Sequence, residues 1–501
     1  MKMKAYLMFR DRDFDIDTPP AFGRELLNKD LELGILFNTM AQNDQVIMQA
    51  VQSSLFTGLA TKSEIEYRQA ILKDCIKNPD AVRKLYALTG ETLEKQRKGW
   101  WWFSKNQYLS SLFPNAVNSL TMLSDMLRQT RDIADREITS FKSEGFVTLF
   151  SMLQRELDDA YLDEIKTHLN ELKFRDGTLI SARLGNYNQG IDYVLRKREK
   201  KGFWRRWRFA PSFTIAPRDD SGAADLGKRR DRAINEAANV LAQSAEHVVS
   251  FFNMLRNELA FYIGCLNLYD ELQRIDTPVC FPVPVSENRR ERTIIGLYDI
   301  SLALNKNTPI VGSDLKMKDK SLYIITGANQ GGKSTFLRSI GQSQLMMQCG
   351  MFVAAESFSS HITNGVFSHF KKEEDASLKS GKLDEELARM SNIADHLKAG
   401  SLMLFNESFS STNEREGSEI GRQITNALLD SDIEVFSVSH LFDFSHSYYT
   451  RNLSYVAFLQ AERRSDGYRT FRIIEGAPTQ TGFGDDLYRK IFVEEESKDE
   501  K

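Results

Sequence analysis

The segment SLYIITGANQGGKSTFLRSIGQ constrains this chain more than any other. An apolar strand-like run passes into Gly327-x4-Gly332-Lys333-Ser334, and a helical pattern follows at once. Gly327, Gly331 and Gly332 let the backbone curl so that its N–H groups and the helix N-terminus face phosphates. Lys333 can then reach β/γ oxygens, and the Ser334 hydroxyl can ligate Mg²⁺. Strand, glycine loop and helix in that order predict a nucleoside triphosphate cradle; a glycine-rich turn without a ligand is the plain alternative.

Two further strand-like runs carry polar residues at their ends. SLMLF leads into Asn406 and Glu407, and a carboxylate at the tip of a strand beside a phosphate loop is placed to act as general base or water-positioner. Asn406 stands where a Mg²⁺-associated aspartate is usual. Its carbonyl can still orient a metal-bound water, without the negative charge. EVFSVS ends near His440, a candidate γ-phosphate sensor, although a lone His at a strand end is more often structural.

Around these motifs the chain divides by character. Residues 1–173 read as a helical body with apolar residues three and four apart; 174–232 as a β-prone, strongly basic insertion; and 233–284 as a returning helix, from Ala233, that is broken at Pro278, Pro282 and Pro284. Residues 285–490 read as an α/β unit with a largely parallel sheet, and 491–501 as an acidic, disordered tail. A length of 501 residues supports two to four domains. The net charge of −3 restricts any nucleic-acid surface to a local patch. Four scattered cysteines, Cys75, Cys265, Cys280 and Cys349, suggest neither a zinc site nor a disulfide framework. With no signal-peptide core and no apolar run approaching ~20 residues, the expectation is a cytoplasmic protein with no membrane role.

The order and spacing of TGANQGGKST, FVAAESFSS, NESFSSTNEREG and SVSHLFDF along one α/β domain resemble the MutS family of DNA mismatch-repair ATPases. EGAPTQTGFGDDL extends the likeness C-terminally and SEIEYRQAILKDCIKNPDAV, more weakly, N-terminally. The resemblance implies a multidomain chain: an α-helical core and lever region, then an α/β P-loop NTPase domain of ABC/MutS type. It implies that Asn329, Gln330, Gly331, Gly332, Lys333, Ser334 and Thr335 hold the phosphates and that Ile310 and Val311 lie against adenine. Asn406, Glu407 and His440 would face the γ-phosphate. It further implies ATP and Mg²⁺ as cofactors and a dimer of ATPase domains, with Ser380 and Gly381 where a trans-acting signature serine is expected. Ser411, Thr412 and Asn413 would stand in the dimer-interface loop. The mismatch-reading and nuclease-type domains of the family have no counterpart in this sequence, so direct mismatch recognition is not expected.

In the family the lever carries a DNA clamp, and the basic insertion occupies a comparable place. Arg196, Lys197, Arg198, Lys200, Lys201, Arg205, Arg206 and Arg208, with Trp204, Trp207 and Phe209, are candidate DNA contacts of low sequence specificity. A solvated basic loop, or arginines paired with acidic helices, is the alternative. Trp100, Trp101, Trp102 and Phe103 cannot all share one helix face and suggest a helix-end plug or subunit contact. The expectation is a homodimeric, slow ATP hydrolase that clamps duplex or branched DNA. The competing reading is an ATP-gated switch acting on a protein or membrane partner, with little hydrolysis and no DNA.

Overall fold

The computed structural model describes residues 3–18, 22–101, 109–174, 177–197, 213–285, 290–371, 381–464 and 467–479. The chain forms two compact units, Met1–Tyr6 with Asp80–Leu259, and Leu7–Pro79 with Ala260–Lys501.

The first unit is built from α5 (Pro79–Trp101), α6 (Leu109–Glu137), α7 (Glu144–Glu156), α8 (Asp159–Glu171) and the opening part of α9 (Asp220–Arg274). Asp158 caps α8 by accepting from the Tyr161 N–H, which satisfies one orphan donor of the first turn. Phe113 and Val117 of α6, Leu169 of α8, and Ile234 and Ala238 of α9 make one apolar core. A hairpin, β1 (Ile180–Leu184) with β2 (Gly190–Leu195), leans Leu195 on that core. Its connection lifts Tyr187, in left-handed conformation (φ 64°), to 99% exposure, with Leu184 beside it at 77%. The β-prone reading holds for TLISARLG only, because residues 213–216 carry no strand. The basic run GKRRDR lies inside α9, which starts at Asp220 rather than at Ala233. Arg229 pairs with Asp225 one turn away there, so charge density marked an exposed helix instead of a loop.

The second unit contains α1 (Arg24–Asp30), α2 (Leu33–Ala41), α3 (Gln45–Thr57), α4 (Lys62–Lys77) and the end of α9, followed by two sheets. The larger sheet has the order β12 (Arg469–Glu475), β11 (Val456–Arg463), β6 (Leu322–Thr326), β10 (Glu434–Val438), β9 (Leu402–Asn406), β8 (Val366–Phe370), parallel except for β12. LYIIT, LMLF and EVFSV are covered on both faces, which is why they read as unbroken buried runs. The smaller, mixed sheet, β3 (Val283–Val285), β7 (Ser357–His361), β4 (Glu291–Leu297), β5 (Ser313–Lys318), was not foreseen. Its alternating burial along β5 is the mark of a sheet wet on one side. Helices α10 (Ile300–Lys306), α11 (Lys333–Gln348), α12 (Lys382–Ala394), α13 (Glu414–Asp430) and α14 (Phe442–Thr450) complete the unit.

A buried ion pair joins the two sheets. Arg292 of β4 grips Glu434 of β10 with two nitrogens, at 2.6 and 3.1 Å, and donates to Gln344 of α11 and Ser360 of β7. His361 Nε2 lies 3.2 Å from the same carboxylate. Burial alone would raise the Glu434 pKa, but Arg292 and His361 outweigh it and draw it down to about 2.

Helices α1–α4 belong to this unit, whereas periodicity had grouped residues 1–173 as a single body. Helix α11 and its C-cap hold them through buried side-chain and main-chain hydrogen bonds. Gln342 Nε2 donates to the Leu31 carbonyl at 2.9 Å, Arg68 Nη1 donates to the Cys349 carbonyl at 3.0 Å, and the Gln348 carbonyl accepts from Leu59 N–H at 2.6 Å. Gly341 leaves space for Leu31, whose methyls would lie 2.9 Å from an added Cβ.

Candidate functional site

Register places the ends of the parallel strands together: Asn406 of β9 lies beside Val438 of β10, Val438 beside Ile325 of β6, and Thr326 beside Gln460 of β11. The loops leaving β6, β9 and β10 therefore open at one edge, where ligands of open parallel sheets bind.

The β6–α11 loop turns through left-handed positions at Gly327 (φ 111°), Gln330 (φ 57°) and Gly332 (φ 92°). An added Cβ at Gly327 would meet the Ala461 backbone nitrogen at 2.9 Å, and one at Gly332 the Phe471 carbonyl oxygen at 3.1 Å. Close neighbours as well as dihedrals thus require glycine there. Gly332 is the N-cap of α11 and offers no side chain to its first turn, which leaves backbone N–H groups for an anion. Lys333 is buried, and its Nζ donates to the Gly327 and Ala328 carbonyls at 2.9 Å. Desolvation pulls its pKa down to about 8; Glu407 opposes that shift and Arg469 adds to it. A buried ammonium resting on backbone carbonyls next to an uncapped helix start fits a polyphosphate.

Ser334 Oγ donates to Asn406 Oδ1 at 2.9 Å, so the hydroxyl and the amide carbonyl expected near Mg²⁺ touch each other. Glu407, at φ 55°, is pinned by its N–H to the Val438 carbonyl, and its Oε1 accepts from His440 Nε2 at 2.8 Å. That bond, reinforced by the charges of Lys333 and Lys371 against partial burial, holds the carboxyl below its ordinary pKa. Glu414, at the start of α13, accepts from Phe442 N–H at 2.9 Å and ties the loop after Glu407 to the one after His440. Asn413 caps α13 by accepting from Glu416 N–H.

Several participants escaped sequence reading. His369 of β8 is fully buried: Nε2 donates to the Glu386 carbonyl at 3.1 Å, Nδ1 lies 2.8 Å from Ser408 Oγ, and the ring stacks on Phe409 at 5.4 Å. It braces the turn that carries Glu407. From β12, Arg469 Nη1 donates to Gln330 Oε1 at 3.3 Å, and Phe471, 51% exposed at φ 63°, passes its carbonyl close to Gly332. Only the left-handed backbone forced on a bulky residue singles Phe471 out, and sequence does not print it.

Ile310 and Val311 precede β5, the first half-buried and the second 45% exposed. Asn329 and Gln330 are exposed on the loop, and Gly331 and Thr335 lie in it and in the first turn of α11. Gly381 is the N-cap of α12; Ser380 lies outside the described residues. Arg196 donates to Ser181 Oγ at 2.9 Å and Lys197 pairs with Glu171 at 3.1 Å. Arg198, Lys200, Lys201, Arg205, Arg206 and Arg208, Trp204, Trp207 and Phe209, Trp102 and Phe103, and the acidic tail are likewise outside the described residues.

The fold is that of a multidomain protein of MutS-like type, mixed helix and sheet, with a glycine-rich loop at the carboxyl edge of its main sheet. Comparison with known proteins agrees. Residues 60–275 match the family model described as MutS2 N-terminal domain, and residues 323–493 match that described as MutS domain V. A DNA mismatch repair protein MutS from Synechococcus sp. (strain CC9902) is 26% identical over 60% of this chain and 34% of its own length. One of the same description from Alkaliphilus oremlandii is 23% identical over 62% and 37%. The human MutS protein homolog 4 is 28% identical over 30% of this chain and 16% of its own. The chain spans about a third or less of the length of these relatives. It belongs to the MutS family of mismatch-repair-type proteins.

Proposed function

We propose that this chain binds ATP with Mg²⁺ at the β6–α11 loop, hydrolyses it slowly, and couples the nucleotide state to holding duplex or branched DNA. The observation that carries the reading is the meeting of Lys333, the Ser334–Asn406 pair and the Glu407–His440 pair at one sheet edge. Mg²⁺, when bound with ATP, supplies neutralising charge for the phosphate oxygens. Lys333 and the N–H groups of Asn329–Thr335 hold those oxygens, Ser334 and Asn406 receive the metal and its water, and Ile310 and Val311 offer apolar surface to the base. Ionised Glu407 positions the attacking water and accepts its proton, with His440 fixing the carboxylate. A base held below its ordinary pKa drives proton transfer weakly, which supports the expectation of slow turnover.

The DNA part is supported by relatives named as mismatch repair proteins and by the basic insertion, whose described members Arg196 and Lys197 flank a hairpin tipped by exposed Leu184 and Tyr187. MutS family proteins act as dimers, and Gly381 with Ser380 and the loop Ser411–Asn413 are the proposed contacts to a second copy. The location proposed is cytoplasmic; no helix of the described residues is long and apolar enough to cross a membrane. Asn406 favours a second reading, an ATP-gated switch on a protein or membrane partner, because an amide cannot lend a metal its charge.

Steady-state hydrolysis with and without duplex, branched and single-stranded DNA separates the two. Stimulation by one DNA form, abolished in Lys333→Ala and reduced about a hundredfold or more in Glu407→Gln, supports the DNA-coupled ATPase. Nucleotide binding with no response to any DNA, and no DNA bound at low salt, selects the switch.

A further inference from the structure

The candidate loop has a cation that no motif announced. Arg469 opens β12 opposite Arg463 of β11, and β11 runs parallel to β6, the strand that feeds the loop. Arg463 lies three residues past Gln460, the partner of Thr326 at the end of β6. Arg469 therefore stands beyond the strand end, alongside the loop, and its Nη1 reaches Gln330 Oε1 at 3.3 Å. The same strand brings the Phe471 carbonyl against Gly332, so β12 flanks the loop along its length. Among the described residues the guanidinium's hydrogen-bond partner is a neutral amide. Its charge is close enough to Lys333 to disfavour the ammonium, while the carboxylate acting on Lys333, Glu407, is already engaged by His440. Two cations beside one loop of backbone N–H groups, with the carboxylate that acts on Lys333 engaged elsewhere, raise the potential there, and a multiply charged anion relieves it.

We propose that Arg469 is a second phosphate-holding cation of the nucleotide site, supplied by the same chain from β12 and parked on Gln330 until the nucleotide arrives. This rests on the nucleotide reading above and extends it. A guanidinium adds a planar pair of donors to the single point charge of Lys333.

The test is isothermal titration of the full chain with Mg²⁺–ATPγS and with ADP, for wild type, Lys333→Ala, Arg469→Ala, Arg469→Lys and Arg472→Ala, an exposed arginine on the same strand. Melting curves verify that each variant is folded. Arg469→Ala is expected to bind ATPγS roughly tenfold to a hundredfold more weakly, the value of one charge-assisted hydrogen bond. The dependence of its affinity on salt should also flatten, a readout that a purely structural role would not move. Arg469→Lys recovers part of the loss, and Arg472→Ala binds as wild type. If Arg469→Ala binds like wild type while Lys333→Ala fails, the proposal is overturned and the nucleotide site stands. Equal losses in Arg469→Ala and Arg469→Lys with an unchanged salt slope also overturn it, assigning Arg469 to loop shape. If wild type binds neither nucleotide, or Lys333→Ala binds both normally, the nucleotide reading itself falls.

Discussion

Lys333 holds its proton weakly, with a pKa of about 8 set mainly by burial, and phosphate contact demands the charged form. The sign follows from linkage: nucleotide bound as proposed would keep Lys333 protonated, so binding should take up a proton where the free protein has lost it. Affinity should be flat below pH 8 and fall about tenfold per unit above it. Calorimetry in buffers of different ionisation enthalpy would report proton uptake near pH 8.5; pH-independent affinity up to pH 10 would contradict the assignment. At this scale the sequence was legible where chemistry is contiguous. Gly327 to Thr335 announce themselves because the loop is built from neighbours in the chain, and Asn406, Glu407 and His440 because each follows an apolar strand. Arg469 and His369 did not, since their places depend on strand order, which no local pattern encodes.

Among elements, the join between the sheets rests on a fully buried ion pair, which is costly to break at one end. Arg292→Leu would leave the buried Glu434 carboxylate with His361 but without its guanidinium, and Gln344 and Ser360 without their donor, at a cost of about 3–5 kcal/mol. Urea unfolding should resolve this, with the double change Arg292→Leu/Glu434→Leu recovering much of the loss. Removing the exposed Glu91–Lys95 pair on α5 should shift stability by less than about 0.5 kcal/mol, and a similar loss at both sites would refute the ranking. Three strands of the main sheet, β6, β9 and β10, were visible as apolar runs, whereas β8, β11 and β12 were not singled out. The start of α9 was not, because GKRRDR has the composition of a solvated loop, and i to i+4 pairing such as Asp225–Arg229 is what lets it be helical. Of the smaller sheet, VPV is too short to carry a pattern, and β5 alternates apolar with charged residues and so forms no buried run.

For the whole molecule, the DNA proposal makes a claim about salt. Binding to duplex or branched DNA should weaken steeply between 50 and 200 mM salt, and reversing Arg196 and Lys197 should reduce the slope of log affinity against log salt by about 2. Anisotropy titrations at several salt concentrations measure this; an unchanged slope would remove both residues from the interface. Periodicity located helices but not their partners, so Leu7–Pro79 were grouped with the helices that follow them in sequence, not with the sheets they pack against. That interrupted order has a consequence during synthesis. Leu33, Leu36, Phe37, Ile47 and Val51 leave the ribosome early, yet most of their unit emerges only after Asp80–Leu259 have been made. At about 5–20 residues per second that is a wait on the order of 10–40 s. For that interval these helices have one another but not the rest of their unit, so yield in a cell is expected to depend on holdase supply as well as on the stability of the finished fold.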